Sequence, residues 1–192
     1  MLTGTQTIDP SLWSVPDSRF RGSVMSIAAE SFIEQRARIL AMVQLTSRDD
    51  LRVSDLQVIG DFPGHEEFDL IVRLLSGTER GQKYFGVKLK GTNEVLSSAQ
   101  DATRYLSSID DEDAKLPPSK SGFPLILVVF SMQNDKGFYC WRIEPVIDKE
   151  HQPRLKMHND FVCRPFGRAA LGQIVETVNH WYDEFFAMLV AV

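Results

Sequence analysis

EEFDLIVRLLSGTERGQKYFGVKLKGT, from Glu66 to Thr92, decides how this chain folds. Two apolar-alternating arms flank a polar turn, the pattern of an antiparallel β-hairpin. Opposed residues in a hairpin keep a constant index sum, so a turn centred near Glu79 sets Asp69 across from Lys88 or Lys90. Side chains alternate faces along a strand. Leu70, Val72 and Leu74 therefore share one face with Val87 and Leu89, while Glu67, Asp69, Lys88 and Lys90 share the other. Carboxylates beside a lysine are what metal-assisted phosphodiester cleavage needs, and equally what an ordinary cross-strand charge pair looks like.

Upstream of the hairpin, residues 1–22 carry Gly4, Pro10, Pro16 and Gly22 with little periodicity and read as an irregular arm. Residues 23–192 read as one domain. A helix is expected over Ser23–Ser47, with Val24, Ala28, Phe32, Ile39 and Val43 as its apolar stripe and Ser23 as its cap. Arg52–Gly60 reads as a first strand, ending in the DFPGH turn.

Downstream, Glu94–Ile109 has Leu96, Ala99, Ala102, Leu106 and Ile109 on one helical stripe. The acidic, proline-broken stretch from Asp110 reads as a surface loop. Phe123–Ser131 is a continuous apolar run, the mark of a strand buried on both faces. A strand ending YCWRI, an extended stretch around Arg154–Cys163 and an amphipathic helix over Arg168–Leu189 complete the chain. The helix between the Phe85–Lys90 and Pro124–Phe130 strands acts as a crossover, which makes those strands parallel neighbours. The expected class is α/β, a mixed central sheet of about five strands flanked by helices.

The 192 residues are 43% hydrophobic, enough for one core, and the net charge of -5 provides no global basic field for nucleic acid or an anionic membrane. Locally, Arg80–Lys90 holds four cations and no acid. That edge suits a confined phosphate site, with Arg80, Lys83, Lys88 and Lys90 as its contacts, or a solvated hairpin tip. Cys140 and Cys163 are distant in sequence and outside any C-x-x-C pair, so two reduced thiols are expected. The four histidines lack metal-ligand spacing. No secretory signal or membrane-spanning run is visible, which implies a soluble cytoplasmic protein. Phosphate-loop, dinucleotide and nucleophile-elbow glycine patterns are absent.

The element order, with an aspartate early in the second strand and x-x-K ending the third, resembles the PD-(D/E)xK phosphodiesterase superfamily of restriction-endonuclease-like fold. FGVKLKGT resembles the F-x-V-Q-V-K-G-T stretch of a branch catalogued only as a domain of unknown function. EEFDLIV resembles its D-x-G-x-D segment, and PLILVVFSMQNDKGFYCWRI its PVLLVV…YW strand pair. The likeness spans roughly Ala28 to Ile143, with a counterpart for the final helix.

The resemblance implies an αβββαβ core and roles for particular residues. Asp69 is the main metal-binding carboxylate. Lys90 orients the attacking water or stabilises the phosphorane, and Glu30 or Glu34 of the first helix completes the site. Mg²⁺ or Mn²⁺ is the implied cofactor. Two departures stand out. The second ligand position, two residues before the catalytic lysine, holds Lys88, a cation that repels metal. The aspartate and glycine of D-x-G-x-D are replaced by His65 and Glu67, and Glu67 shares the Asp69 face as a substitute ligand. Lys88 has three readings: a phosphate clamp, the destroyer of the metal site, or a salt-bridge partner of Glu67.

The expected function is metal-dependent cleavage of nucleic acid, DNA more than RNA, in defence against phage or mobile DNA. The alternative is a catalytically degenerate module that binds nucleic acid or a partner protein. No recognition helix, zinc finger or basic arm reads sequence here, so target choice falls to a partner subunit or to DNA structure, and the expected protein partner is another protein or a second copy of this chain.

Overall fold

The computed structural model describes residues 18–55, 68–75, 81–109 and 122–190, with side chains from Phe32 onward. Residues 1–17 of the arm, the end of the first strand, the DFPGH turn, the hairpin tip and the acidic loop lie outside the described residues; residues 18–22, expected to be irregular, are instead the first turn of a helix. Two compact units divide the chain, Met1–Phe32 and Ile33–Val192. Of the first, the described part is the opening of helix α1, which spans Ser18–Thr46.

After α1 come β1 (Leu51–Asp55), β2 (Leu70–Leu74), β3 (Lys83–Thr92) and α2 (Ala99–Ser108). Then follow β4 (Leu125–Ser131), β5 (Gly137–Ile147), β6 (Pro153–Met157), β7 (Arg164–Phe166) and α3 (Arg168–Val190). The strands form one seven-stranded sheet in the order β1-β2-β3-β4-β5-β6, with β7 also paired to β5. The class is mixed α/β, as expected, with β6 and β7 extending the sheet beyond the core.

The hairpin forms in the expected register. Leu70 pairs with Val87 and Leu74 with Lys83, antiparallel. Across the crossover, β3 and β4 run parallel, from Gly86↔Leu125 to Thr92↔Ser131. Helix α2 makes that connection. Its start is fixed by a capping box, in which Ser98 Oγ accepts from the Asp101 N–H and Asp101 Oδ2 accepts from the Ser98 N–H.

β4 is buried at every position, as its unbroken apolar run requires. Ile126, Val128 and Phe130 pack in one cluster with Leu70, Val72, Phe85 and Val87, roofed by α1 and α3. Leu127 and Val129 face the opposite cluster, closed by Ala102 and Leu106 of α2. Burying each such side chain stabilises by about 1.5–3 kcal/mol, which makes β4 the anchor of both layers.

The phase of α1 departs from expectation. Ala37, Ala41 and Leu45 are fully buried, whereas Phe32, Ile39 and Val43 are 62–64% exposed. The small residues let the helix sit close to the sheet. A Cβ added to Gly91 would lie 2.5 Å from Ile33 Cγ2 and 2.8 Å from the Ile33 carbonyl oxygen. That approach, and the ion pairs of Arg38 described below, set the helix face against the pull of the larger apolar side chains.

Lys83 also departs from the expected basic edge. It is 3% exposed, with Nζ 2.6 Å from Asn179 Oδ1 and 2.6 Å from Asp183 Oδ1 of α3. Its place on the strand explains this: Lys83 alternates onto the same face as Phe85, Val87 and Leu89.

Candidate functional site

Asp69 stands immediately before β2. Its N–H donates to the Val87 carbonyl at 2.8 Å, extending the ladder by one step. Its Oδ2 accepts the Leu89 N–H at 2.7 Å, which pins the carboxylate against the Lys88–Lys90 segment. Continuing the hairpin register puts Asp69 opposite Lys88. Lys88 and Lys90 are both half-buried, alternating with the buried Val87 and Leu89.

A further residue occupies this place. Arg38 of α1 reaches across with Nη1 2.6 Å from Oδ1 of Asp55, the last residue of β1. The same Nη1 lies 3.5 Å from the Asp69 carbonyl oxygen, and Nη2 lies 3.5 Å from Asp69 Oδ1. The three side chains are only 16%, 20% and 22% exposed for Arg38, Asp55 and Asp69. One guanidinium therefore bridges two strands through two carboxylates. The planar fork of a guanidinium suits such bridging.

Of the remaining expected site residues, Glu34 is exposed and lies one helical turn before Arg38 on α1. The Glu30 side chain, Glu67 and Arg80 lie outside the described residues. Lys83 is withdrawn into the pairing with Asp183. Among the described residues no group of three His, Cys, Asp or Glu side chains is arranged to hold a metal ion. A dication about 4 Å from the Arg38 guanidinium would be repelled by about 8 kcal/mol at an effective dielectric near 20. Metal binding at Asp69 would require Arg38 to leave. Sequence reasoning missed Arg38 and Asp55. Their only visible signal was an arginine one turn after Glu34 and an acid inside the expected first strand.

A second polar constellation lies at the far edge of the sheet. β6 and β7 both pair with β5, and residues 158–163 connect them. A cavity of about 200 Å³ opens there, walled by Trp141, Glu144, His158, Asp160 and Arg164. His158 Nε2 lies 2.7 Å from Glu144 Oε2. The β4–β5 register shifts between Leu125↔Ile143 and Ile126↔Trp141, leaving Arg142 as the extra residue of a bulge. The Arg142 guanidinium lies 4.9 Å from the Phe161 ring centroid, and its Nη1 is buried without a hydrogen-bond partner. Burial holds its affinity for the proton below the usual arginine range.

Comparisons with family models, with curated proteins and with solved structures return no match for this chain. None of the helices among the described residues is long and apolar enough to cross a membrane.

Proposed function

We propose that the protein is a catalytically degenerate nuclease-fold module that works by binding a partner protein. The observation that carries this reading is the Arg38 guanidinium between Asp55 and Asp69, in the space a hydrolytic metal ion would need. Lys88, at the position where the resembled family carries a second ligand, adds to the same electrostatic argument.

The choice of partner follows from charge and exposure. Several described cations on this acidic chain are committed to carboxylates: Arg36 to Asp135, Arg48 to Asp50, Lys83 to Asp183 and Arg154 to Asp148. Each of these pairs cancels a positive charge on a chain whose net charge is already -5, which weighs against tracking a phosphate backbone. Ile39 and Val43, by contrast, offer apolar surface on α1. The unbridged cysteines suit a reducing compartment, so a cytoplasmic location belongs to the proposal.

The second reading, a Mg²⁺- or Mn²⁺-dependent DNA nuclease in defence against mobile DNA, is favoured by one observation: Asp69 is pinned beside the segment bearing Lys88 and Lys90. A single pair of measurements separates the two. Mn²⁺ is titrated calorimetrically into the wild type, and plasmid nicking is assayed with Mg²⁺ and with Mn²⁺. The degenerate reading expects no saturable heat and no nicking above buffer. Metal-dependent nicking that disappears in Asp69→Ala and in Lys90→Ala would replace it with the nuclease reading.

A further inference from the structure

Cys140 and Cys163 are separated in the chain by the whole of β6, yet the β5–β7 ladder brings them face to face. Its pairs are Gly137↔Phe166, Phe138↔Pro165 and Tyr139↔Arg164, so the next opposed pair is Cys140 with Cys163. Antiparallel pairs alternate between those that exchange two backbone hydrogen bonds and those that exchange none. Pro165 has no N–H, so Phe138 and Pro165 cannot be an exchanging pair. Tyr139 and Arg164 then exchange, and Cys140 and Cys163 do not. A separate observation agrees: the Cys163 N–H donates to Thr103 Oγ1 of α2 at 3.1 Å.

Side chains approach most closely at non-exchanging positions, where Cα atoms stand about 4.5 Å apart. A disulfide accepts Cα separations of about 4.4–6.8 Å. Both cysteines are free, 1% and 7% exposed, and packed in the same cluster beneath α2. Position, facing and distance therefore all meet what a bridge requires.

We propose that Cys140 and Cys163 are a reversible dithiol–disulfide pair, closed by hydrogen peroxide and reopened by a thiol reductant. The two sulfurs have unequal roles. The hydrogen bond from Cys140, with help from the Thr103 hydroxyl, holds the Cys163 thiol below the usual range. The same hydrogen bond and burial push the Cys140 thiol well above it. Cys163, the more exposed of the two at 7% against 1% and the one beside the Thr103 hydroxyl, is the attacking thiolate.

In the first step the Cys163 thiolate attacks one peroxide oxygen. The O–O bond breaks, hydroxide leaves and Cys163 becomes a sulfenic acid. In the second step the Cys140 sulfur attacks the sulfenic sulfur, the S–O bond breaks and the S–S bond forms. The Cys140 proton leaves with the hydroxyl as water. Two electrons pass from the thiol pair to the peroxide, which ends as two water molecules. The bridge would tie the segment before β7, and through Thr103 the α2 layer, to the middle of β5.

The test uses the full chain, reduced, folded and treated with hydrogen peroxide before alkylation under denaturing conditions. The expected product has lost both alkylatable thiols together and the mass of two hydrogen atoms. It runs as a monomer, yields one linked peptide pair containing Cys140 and Cys163, and returns to the starting mass with dithiothreitol. In Cys140→Ser the expected product is a Cys163 sulfenic acid trapped by dimedone, with no bridge. Wild-type protein that keeps both thiols, gains oxygen without losing hydrogen, or cross-links between chains would overturn the proposal. The wild-type measurement decides this by itself should a serine variant fail to fold.

Discussion

Replacing Arg38 by methionine keeps the helix-forming, apolar part of the side chain and removes only the guanidinium. The structure then predicts two linked effects. The guanidinium is 16% exposed and makes a 2.6 Å contact to Asp55 Oδ1 and a 3.5 Å contact to Asp69 Oδ1. Its loss leaves two largely buried carboxylates without their shared cation, a change of about 2–3 kcal/mol, mid-range between exposed and fully buried pairs. For a domain of this size that lowers Tm by about 4–12 °C. The second effect has the opposite sign. With the cation gone, the carboxylate pair becomes attractive to Mn²⁺, and metal at a hundred times its Kd returns about 2.7 kcal/mol. Scanning calorimetry of both proteins, with and without MnCl₂, reads both effects in one experiment. The variant should melt lower in metal-free buffer and recover most of the difference in Mn²⁺, while the wild type stays put. A wild type stabilised by Mn²⁺ as much as the variant, or a variant that neither loses stability nor responds to metal, refutes the assignment of Arg38 as the occupant of a metal position.

Three other outcomes follow from the geometry. In the Arg38→Met background, Lys88→Glu should tighten Mn²⁺ binding in calorimetry by removing a second repelling cation; weakened nucleic-acid binding at low salt would instead mark Lys88 as a phosphate clamp. Asp183→Ala leaves the 3% exposed Lys83 ammonium with Asn179 alone. Urea unfolding should show a loss of about 3 kcal/mol, whereas Lys83→Met, which removes the buried charge and leaves only the half-exposed Asp183 carboxylate, should stay closer to wild type. Burial raises Tyr182 from 10.0 to about 12. Its contribution is complete below the unfolded value of about 10 and is lost as pH rises through the folded one, so stability should fall by up to about 3 kcal/mol across that alkaline window. Phenolate absorbance, followed beside the unfolding midpoint, checks the link.

The hairpin and the crossover were legible because local rules agree there: alternation in the Leu70–Leu74 and Val87–Leu89 arms, the helical stripe of Leu96, Ala102 and Leu106, and a long apolar run for the buried strand. The phase of α1 was not. Phe32, Ile39 and Val43 outweigh alanines on any hydrophobicity count, yet Ala37 and Ala41 are what close approach to Gly91 allows. Lys83 was readable by parity, since it alternates with Phe85, but its composition drew it into a basic run with Lys88 and Lys90 instead. Arg38 lies 31 residues from Asp69 and Cys140 lies across a strand from Cys163. Contacts of that kind are set by register and packing angle, which no local pattern in the chain records.

Gly91 gives the Arg38 clamp an unexpected control point. The residue carries no functional group, yet the seat of α1 depends on its missing methyl, because Ile33 atoms already stand 2.5–2.8 Å from where a Cβ would be. Any side chain there must lift the helix by something like 1 Å, given the usual carbon separation of about 3.5–4.0 Å. Arg38, a little over one turn further along the same helix, would be carried with it, and its 3.5 Å contact to Asp69 would be the first to break. The pairing of Arg38 with Asp69 can thus be altered by drift at a position that bears no charge, without changing a single ionisable residue.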